Sequence, residues 1–172
     1  RGYDSAGIAV LRDTDLVDLD LATTHRPDEV VRRLEDAGIK AVPTGIEHGT
    51  ITAVASGTVV EVTTLRCDVS TDGRRATVAF TDDWAADAAR RDFTVNAMAV
   101  SVPGRVFEDP CGGVVDLAHR LLRTPGRPED SFSDDPLRMM RAARFAAQLG
   151  FAVAPEAITA ITAMADRIAI VS

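Results

Sequence analysis

Arg90–Met98 reads RRDFTVNAM, and this run decides how the rest of the chain is read. Two guanidiniums, a carboxylate, a hydroxyl and an amide surround one phenylalanine, Phe93. That mixture suits an anionic, sugar-bearing ligand such as a nucleoside triphosphate: arginine for phosphate, carboxylate for ribose hydroxyls, amide for either. Taken alone, the run reads equally well as a solvated helix end with an ordinary Asp–Arg pair. Its company favours the ligand: VDLDLATT lies upstream at Val17–Thr24, and SDDPLRMMRAARF lies downstream at Ser133–Phe145.

The chain has 172 residues, room for one domain or for one domain and the start of another. Hydrophobic residues make up 46%, enough for a real core. No apolar stretch is long enough to span a bilayer and no charged-then-apolar leader opens the chain, so no membrane partner is expected. Cys67 and Cys111 have neither Cys nor His at metal spacing and read as reduced thiols of a cytoplasmic protein. A formal net charge of −7 argues against a broad basic surface gripping nucleic acid.

Local patterns outline the elements. Val17–Ala22 alternates apolar and acidic positions, as a half-buried strand does, with Asp18 and Asp20 on one face. Pro27-Asp28-Glu29 opens a helix that Gly38 closes. Thr50–Ala55 and Thr58–Leu65 flank Ser56-Gly57 and predict an antiparallel hairpin. Ser70–Arg75 reads as a polar loop, Asp83–Asp92 as helical, and Asp116–Arg123 as a short helix after Gly112-Gly113. A longer helix is expected from a Ser133 cap to about Leu149, before Gly150, and a last one over Pro155–Ile168. The order predicts an α+β chain, mixed at first and all-helical from about residue 115.

Asp18 and Asp20 are two apart, so on a strand their carboxylates emerge side by side. Such hard oxygen ligands suit Mg²⁺, which keeps several waters and takes further ligands from phosphate. Glu61 lies within the apolar run VVEV, where a carboxylate is costly unless paired or metal-bound. Three carboxylates on neighbouring strands would hold two Mg²⁺ ions, one activating a hydroxyl nucleophile and the other clamping triphosphate and leaving group. Asp135 and Arg138 are three apart and share a helical face. They form either a helical ion pair of little worth or a base reader. Cytosine and adenine each present an exocyclic amine beside a ring-nitrogen acceptor, which a carboxylate next to a guanidinium satisfies; uracil and guanine offer the opposite pattern. Arg141 and Arg144 continue a basic stripe that meets phosphate or faces solvent.

VDLDLATT, TGIEHGTIT, VVEVTTLR, DAARRDFTVNAM, EDPCGGVVDLAHRLLR and DDPLRMMRAARFAAQLGF, in this order, resemble the bacterial (class II) tRNA CCA-adding nucleotidyltransferases and their poly(A) polymerase relatives. The resemblance runs from about Val17 to the C-terminus. It implies a polymerase-β-like nucleotidyltransferase head with a mixed or antiparallel sheet over residues 17–114, a helical neck over 115–172 and an atypical N-terminus over 1–16. It also implies transfer of CMP or AMP from CTP or ATP to a tRNA 3′ end, with Mg²⁺ on Asp18 and Asp20 and Glu61 as third catalytic carboxylate. By position, Arg91 and Asp92 would contact the ribose and Asp135 and Arg138 would read the base. Asn96 and Arg141 would serve the triphosphate or position other groups.

The chain departs from the family in places. Asp134-Asp135 stands where the family usually has Glu-Asp. The helical body and tail that hold tRNA are expected beyond Ser172, which reconciles the acidic charge with an RNA substrate. Before Asp18 the family carries Gly-Gly-x-Val-Arg-Asp and a helix whose amides cradle triphosphate, whereas this chain reads RGYDSAGIAVLRDTDL. Gly7, Val10, Arg12 and Asp13 are an echo of that motif, and the span to Asp18 is too short for the helix. The strand of Asp18 and Asp20 is therefore expected to lack its neighbour, and this fragment to be impaired. Residues 1–10 instead resemble an amidotransferase segment of glucosamine-6-phosphate synthases. A poly(A) polymerase is the nearest rival, although those relatives tend to be basic where this chain has VPTGIEHGTIT. A catalytically impaired nucleotide-binding or interaction fragment is the rival from another class.

Overall fold

The computed structural model describes residues 5–10, 18–71, 76–102 and 104–171. Arg12, Asp13 and most of the expected loop at Ser70–Arg75 lie outside them. The chain divides into two compact units that do not follow sequence order. The first takes residues 1–67, 79–84 and 99–108; the second takes 68–78, 85–98 and 109–172.

The first unit is built on a mixed sheet. In chain order its elements are β1 (Ser5–Val10), β2 (Asp18–Thr23), helix α1 (Pro27–Asp36), β3 (Lys40–Gly45), β4 (Thr50–Ala55) and β5 (Thr58–Thr64). Strands β6 (Arg66–Thr71) and β7 (Ala76–Phe80) form a separate two-stranded sheet, so Ser70 and Thr71 belong to a strand and not to a loop. Helix α2 (Trp84–Ala89) follows, then β8 (Ala99–Val102) and β9 (Phe107–Glu108) complete the large sheet, ordered β3-β4-β5-β2-β1-β8-β9. Only β2 and β5 run parallel; the other described pairings in this sheet are antiparallel. The expectation that β2 lacks a neighbour is corrected: β1 pairs with it from Val10↔Asp18 to Ala6↔Ala22, and β5 pairs on the other side.

Local chemistry explains the expected pieces. Ser56 and Gly57 both take positive φ, 50° and 83°, which gives β4 and β5 the two-residue turn that matches strand twist. Pro27 begins α1, and Arg32 and Arg33 each reach the Glu29 carboxylate at 2.6 Å, holding its pKa down at about 2. The apolar side of α1 packs on the sheet through Val30, Ile51, Ala53 and Val62. A smaller cluster of Ala22, Leu65 and Ala99 packs with Trp84.

The second unit holds α3 (Gly113–Ala118), β10 (Leu121–Leu122), α4 (Pro128–Asp134), α5 (Leu137–Leu149), β11 (Ala152–Val153) and α6 (Pro155–Met164). Two expectations change here. The region is not all-helical, because β10 and β11 pair in parallel, Leu121↔Ala152 and Leu122↔Val153. Nor does one helix run from a Ser133 cap to Leu149. Ser133 and Asp134 end α4, and Asp135 is extended at φ −145°, ψ 100°. Pro136 is the cause: its ring disfavours the helical conformation of the preceding residue. The last predicted helix stops at Met164 and tightens to a 3₁₀ turn over Ala165–Val171. Phe132, Met139, Ala154, Ala157 and Ala160 form one core cluster, and Phe93, Leu122 and Ala142 another.

Candidate nucleotide and metal sites

In the first unit, β2 carries Asp18 and Asp20 two positions apart, and Asp20 stands directly opposite Glu61 on β5. Register partners on adjacent strands project to the same side of the sheet, with strand axes about 4.8 Å apart. An apolar, costly setting for Glu61, expected from VVEV, is not what the structure has. Alternation turns Val62 into the core, while Val59 and Glu61 face outward and both Glu61 and Asp20 are exposed. Asp20 and Glu61 instead set two like charges opposite each other across the parallel β2–β5 pair. Hydroxyls continue this face: Thr52 partners Glu61 on β4 and meets Thr44 at 2.7 Å, and Thr50 meets Thr63 at 3.0 Å. Hard anionic oxygens open to water fit a divalent cation. Among the described residues, no three His, Cys, Asp or Glu side chains gather into a metal cluster.

In the second unit, RRDFTVNAM folds around its phenylalanine. Phe93 is fully buried and meets the Phe145 ring edge-on at 5.8 Å, which anchors the polar residues on either side. Asp92, 7% exposed, is the hub. One oxygen accepts the Phe93 backbone N–H and the Asn96 amide, both at 2.9 Å, and the other accepts Arg141 Nε at 2.6 Å. Arg91 is held by Asp87, through Nε at 3.1 Å and Nη2 at 3.0 Å, and also donates to the Asn96 carbonyl. Asp87 is almost fully buried and escaped the sequence reading, although its i, i+4 spacing to Arg91 was a usable signal. Arg90 pairs with Asp68 at 3.1 Å.

The break before α5 gives the expected base readers separate supports. Asp135 Oδ1 accepts the Leu137 backbone N–H at 2.9 Å, so this carboxylate caps the helix start. Arg138 Nη1 donates to the Ser131 hydroxyl at 2.9 Å, with a longer contact to the Ser131 carbonyl, and Nη2 donates to the Arg90 carbonyl. Among the described residues, Asp135 and Arg138 share a backbone hydrogen bond and no ion pair. Arg141 and Arg144 both stack on Phe145, at 5.3 and 4.8 Å.

A second motif braces this one. Asp109 accepts the backbone N–H groups of Gly113 and Val114 at 2.6 and 3.0 Å, fixing the start of α3. Buried Asp116 accepts the Thr94 hydroxyl at 2.6 Å and pairs with Arg123 at 3.2 Å. A Cβ on Gly113 would lie 2.3 Å from the Thr94 carbonyl oxygen, so only glycine lets the two segments approach. Burial, with Asp109 nearby, pushes the Cys111 thiol pKa up, which disfavours the thiolate.

Residues 9–123 match the family model for the poly A polymerase head domain. The chain is similar to the CCA-adding enzyme of Levilactobacillus brevis, 43% identical over 172 residues that cover 96% of this chain and 42% of that protein. It is 43% identical to the Bacillus subtilis CCA-adding enzyme over 146 residues, covering 84% of this chain and 36% of that one. It thus spans less than half the length of these relatives. Among solved structures, the Bacillus stearothermophilus CCA-adding enzyme in complex with CTP matches at TM-score 0.86 and 36% identity, over 99% of this chain and 42% of that one. A tRNA nucleotidyltransferase complexed with a primer tRNA and an incoming ATP analog matches at TM-score 0.74 and 26% identity, over 94% and 46%. The fold is that of a polymerase-β-like nucleotidyltransferase head. No described helix is long and apolar enough to cross a membrane.

Proposed function

Because the chain belongs to the poly A polymerase head domain family, we propose that it is the nucleotide-selecting and catalytic part of a tRNA CCA-adding nucleotidyltransferase that acts in the cytoplasm. Residues 17–114 serve as its head and residues 115–172 as the beginning of a helical neck. The substrates are CTP, ATP and a tRNA 3′ end. The observation that carries this reading is the unspent hydrogen-bonding capacity of Asp135 and Arg138. Guanidinium offers five N–H donors; Ser131 and Arg90 engage three of Arg138's, and Nε–H and one Nη2–H remain. Asp135 spends one oxygen on Leu137 and keeps the other.

That remainder matches two bases. Cytosine accepts at N3 and O2 from Arg138 while its amine donates to Asp135. Adenine accepts at N1 and donates its amine likewise. Uracil and guanine would set a carbonyl against the carboxylate and an N–H against the guanidinium, leaving charged groups unsatisfied. Arg91 and Asp92 approach the ribose, with Asn96 and Arg141 keeping Asp92 in place.

Asp18, Asp20 and Glu61 are the residues that would hold Mg²⁺, consistent with the like charges that β2 and β5 bring together. Bound Mg²⁺ supplies positive charge to triphosphate oxygens and eases ionisation of the attacking 3′-hydroxyl. The carboxylates themselves orient that charge and accept no base contact. Turnover is expected to be slow, since the glycine pair that cradles triphosphate in the family is replaced before Asp18.

Single-turnover addition tests the reading, with the chain in excess over a tRNA that ends before CCA and each nucleotide supplied in turn. Weak binding that prefers CTP and ATP, with at most slow and partial incorporation of C and then A and with UTP and GTP rejected, is the expected result. Runs of A on any RNA would transfer the assignment to poly(A) synthesis, and no incorporation with no nucleotide preference in binding would leave only an interaction module.

A further inference from the structure

The Arg138 guanidinium is held at one end by groups that carry no charge. Nη1 donates to Ser131 Oγ at 2.9 Å and Nη2 to the Arg90 main-chain carbonyl. Ser131 is 5% exposed and lies on α4, across the Asp135–Pro136 break from Arg138. Among the described residues, no carboxylate lies within ion-pairing distance of Arg138. Its arginine neighbours differ, since Arg90, Arg91 and Arg141 each pair with an aspartate. A neutral oxygen fixes a guanidinium plane while leaving its full charge for a ligand; a carboxylate in the same place would neutralise it and compete for its donors.

We propose that Ser131 is a positioning residue for nucleotide choice: its hydroxyl sets the plane of Arg138 so that the remaining Nε–H and Nη2–H edge meets the base. The inference rests on the base-reading role proposed above for Arg138 and names the side chain on which the precision of that reading depends. Without the hydroxyl, the guanidinium keeps its charge, its Arg90 anchor and the long 3.5 Å contact of Nη1 with the Ser131 carbonyl, but loses the short bond that fixes its plane and gains rotational freedom about the Nη2 contact. It still attracts a nucleotide, and it discriminates less between an acceptor and a donor placed before it. Loss of selectivity should therefore exceed loss of affinity.

Equilibrium binding of Mg²⁺–CTP, ATP, UTP and GTP to the chain tests this, using wild type, S131A, S131C, S131T and R138A. Cysteine fills the serine's space with a weak acceptor, which covers the case in which alanine loosens α4; threonine restores the hydroxyl. The expected result is a roughly tenfold fall in the CTP-over-UTP preference for S131A and S131C, the scale of one hydrogen bond to a charged group. S131T should recover the preference and R138A should abolish it. A preference that vanishes in R138A but survives intact in S131A and S131C overturns the role of Ser131 alone. No preference in wild type and no effect of R138A overturns the base-reading proposal and this inference with it. An equal loss for all four nucleotides in S131A makes Ser131 purely structural and also overturns the inference.

Discussion

Arg141 Nε donates to Asp92 at 2.6 Å across 49 residues of sequence, and the acceptor is the same carboxylate that receives Asn96 and the Phe93 backbone. One contact therefore ties α5 to RRDFTVNAM. Asp92→Asn places an amide N–H where either Arg141 or the Phe93–Asn96 donors need an acceptor. Expected destabilisation is about 1–3 kcal/mol, which lowers the melting temperature by roughly 2–4 °C per kcal/mol for a chain of this size. Arg141→Met keeps contact with Phe145 and loses the donor. Thermal unfolding of both single variants and the double should give a coupling of about 0.5–3 kcal/mol, and additive effects would break the link.

Asp135 carries two separable duties, a cap for α5 and a proposed acceptor for the base amine. Asp135→Ala removes both and should cost about 0.5–2 kcal/mol of stability. Asp135→Asn can turn its carbonyl oxygen to Leu137 and keep the cap while offering the base a donor. Its stability should stay near wild type while relative use of UTP and GTP rises. The kcat/KM values for four nucleotides, set beside melting curves, check both halves; an equal fall for every base would make Asp135 only a cap.

Asp20→Asn should abolish Mg²⁺-dependent transfer while leaving circular dichroism unchanged. The loss should reach several orders of magnitude, because charge supplied to the reacting oxygens accounts for several kcal/mol of the barrier. Mg²⁺ should also raise the melting temperature of wild type and not of the variant. Undiminished transfer by Asp20→Asn in Mg²⁺ would remove β2 from the metal site.

Gly113→Ala should destabilise the second unit by about 1–3 kcal/mol, the range for forcing extra atoms into a packed place. The added carbon meets the backbone at Thr94, which cannot rotate away as a side chain would, and the Met98 side chain at 2.8 Å. Thermal unfolding measures the cost. A melting temperature equal to wild type would show that α3 and the Thr94 turn separate freely.

What the sequence made legible follows from the range of the forces involved. The β4–β5 turn at Ser56-Gly57 and the start of α1 at Pro27 are settled within a few residues, and both were readable. Strand β3 was not, because Pro43 disguises it: the strand lies at the sheet edge, with its register shifting between Val42 and Gly45 where the missing N–H falls. Strands β10 and β11 are two residues each and exist only through their mutual pairing. The residues of the candidate sites were legible by type, and their supports were not. Asp87 lay one helical turn from Arg91 and was within reach of pattern, whereas the Ser131–Arg138 contact crosses a helix break that i, i+3 and i, i+4 rules do not describe.

The two close anchors of Arg138 differ in heritability. The Arg90 anchor is a main-chain oxygen, present whatever side chain the codon at 90 specifies. The Ser131 anchor is a side chain, and substitution can delete, lengthen or charge it. If Arg138 reads the base as proposed, drift at position 131 would grade fidelity in small steps over a support that mutation leaves standing, and error-prone and stringent descendants of one ancestor would need to differ there by only one residue.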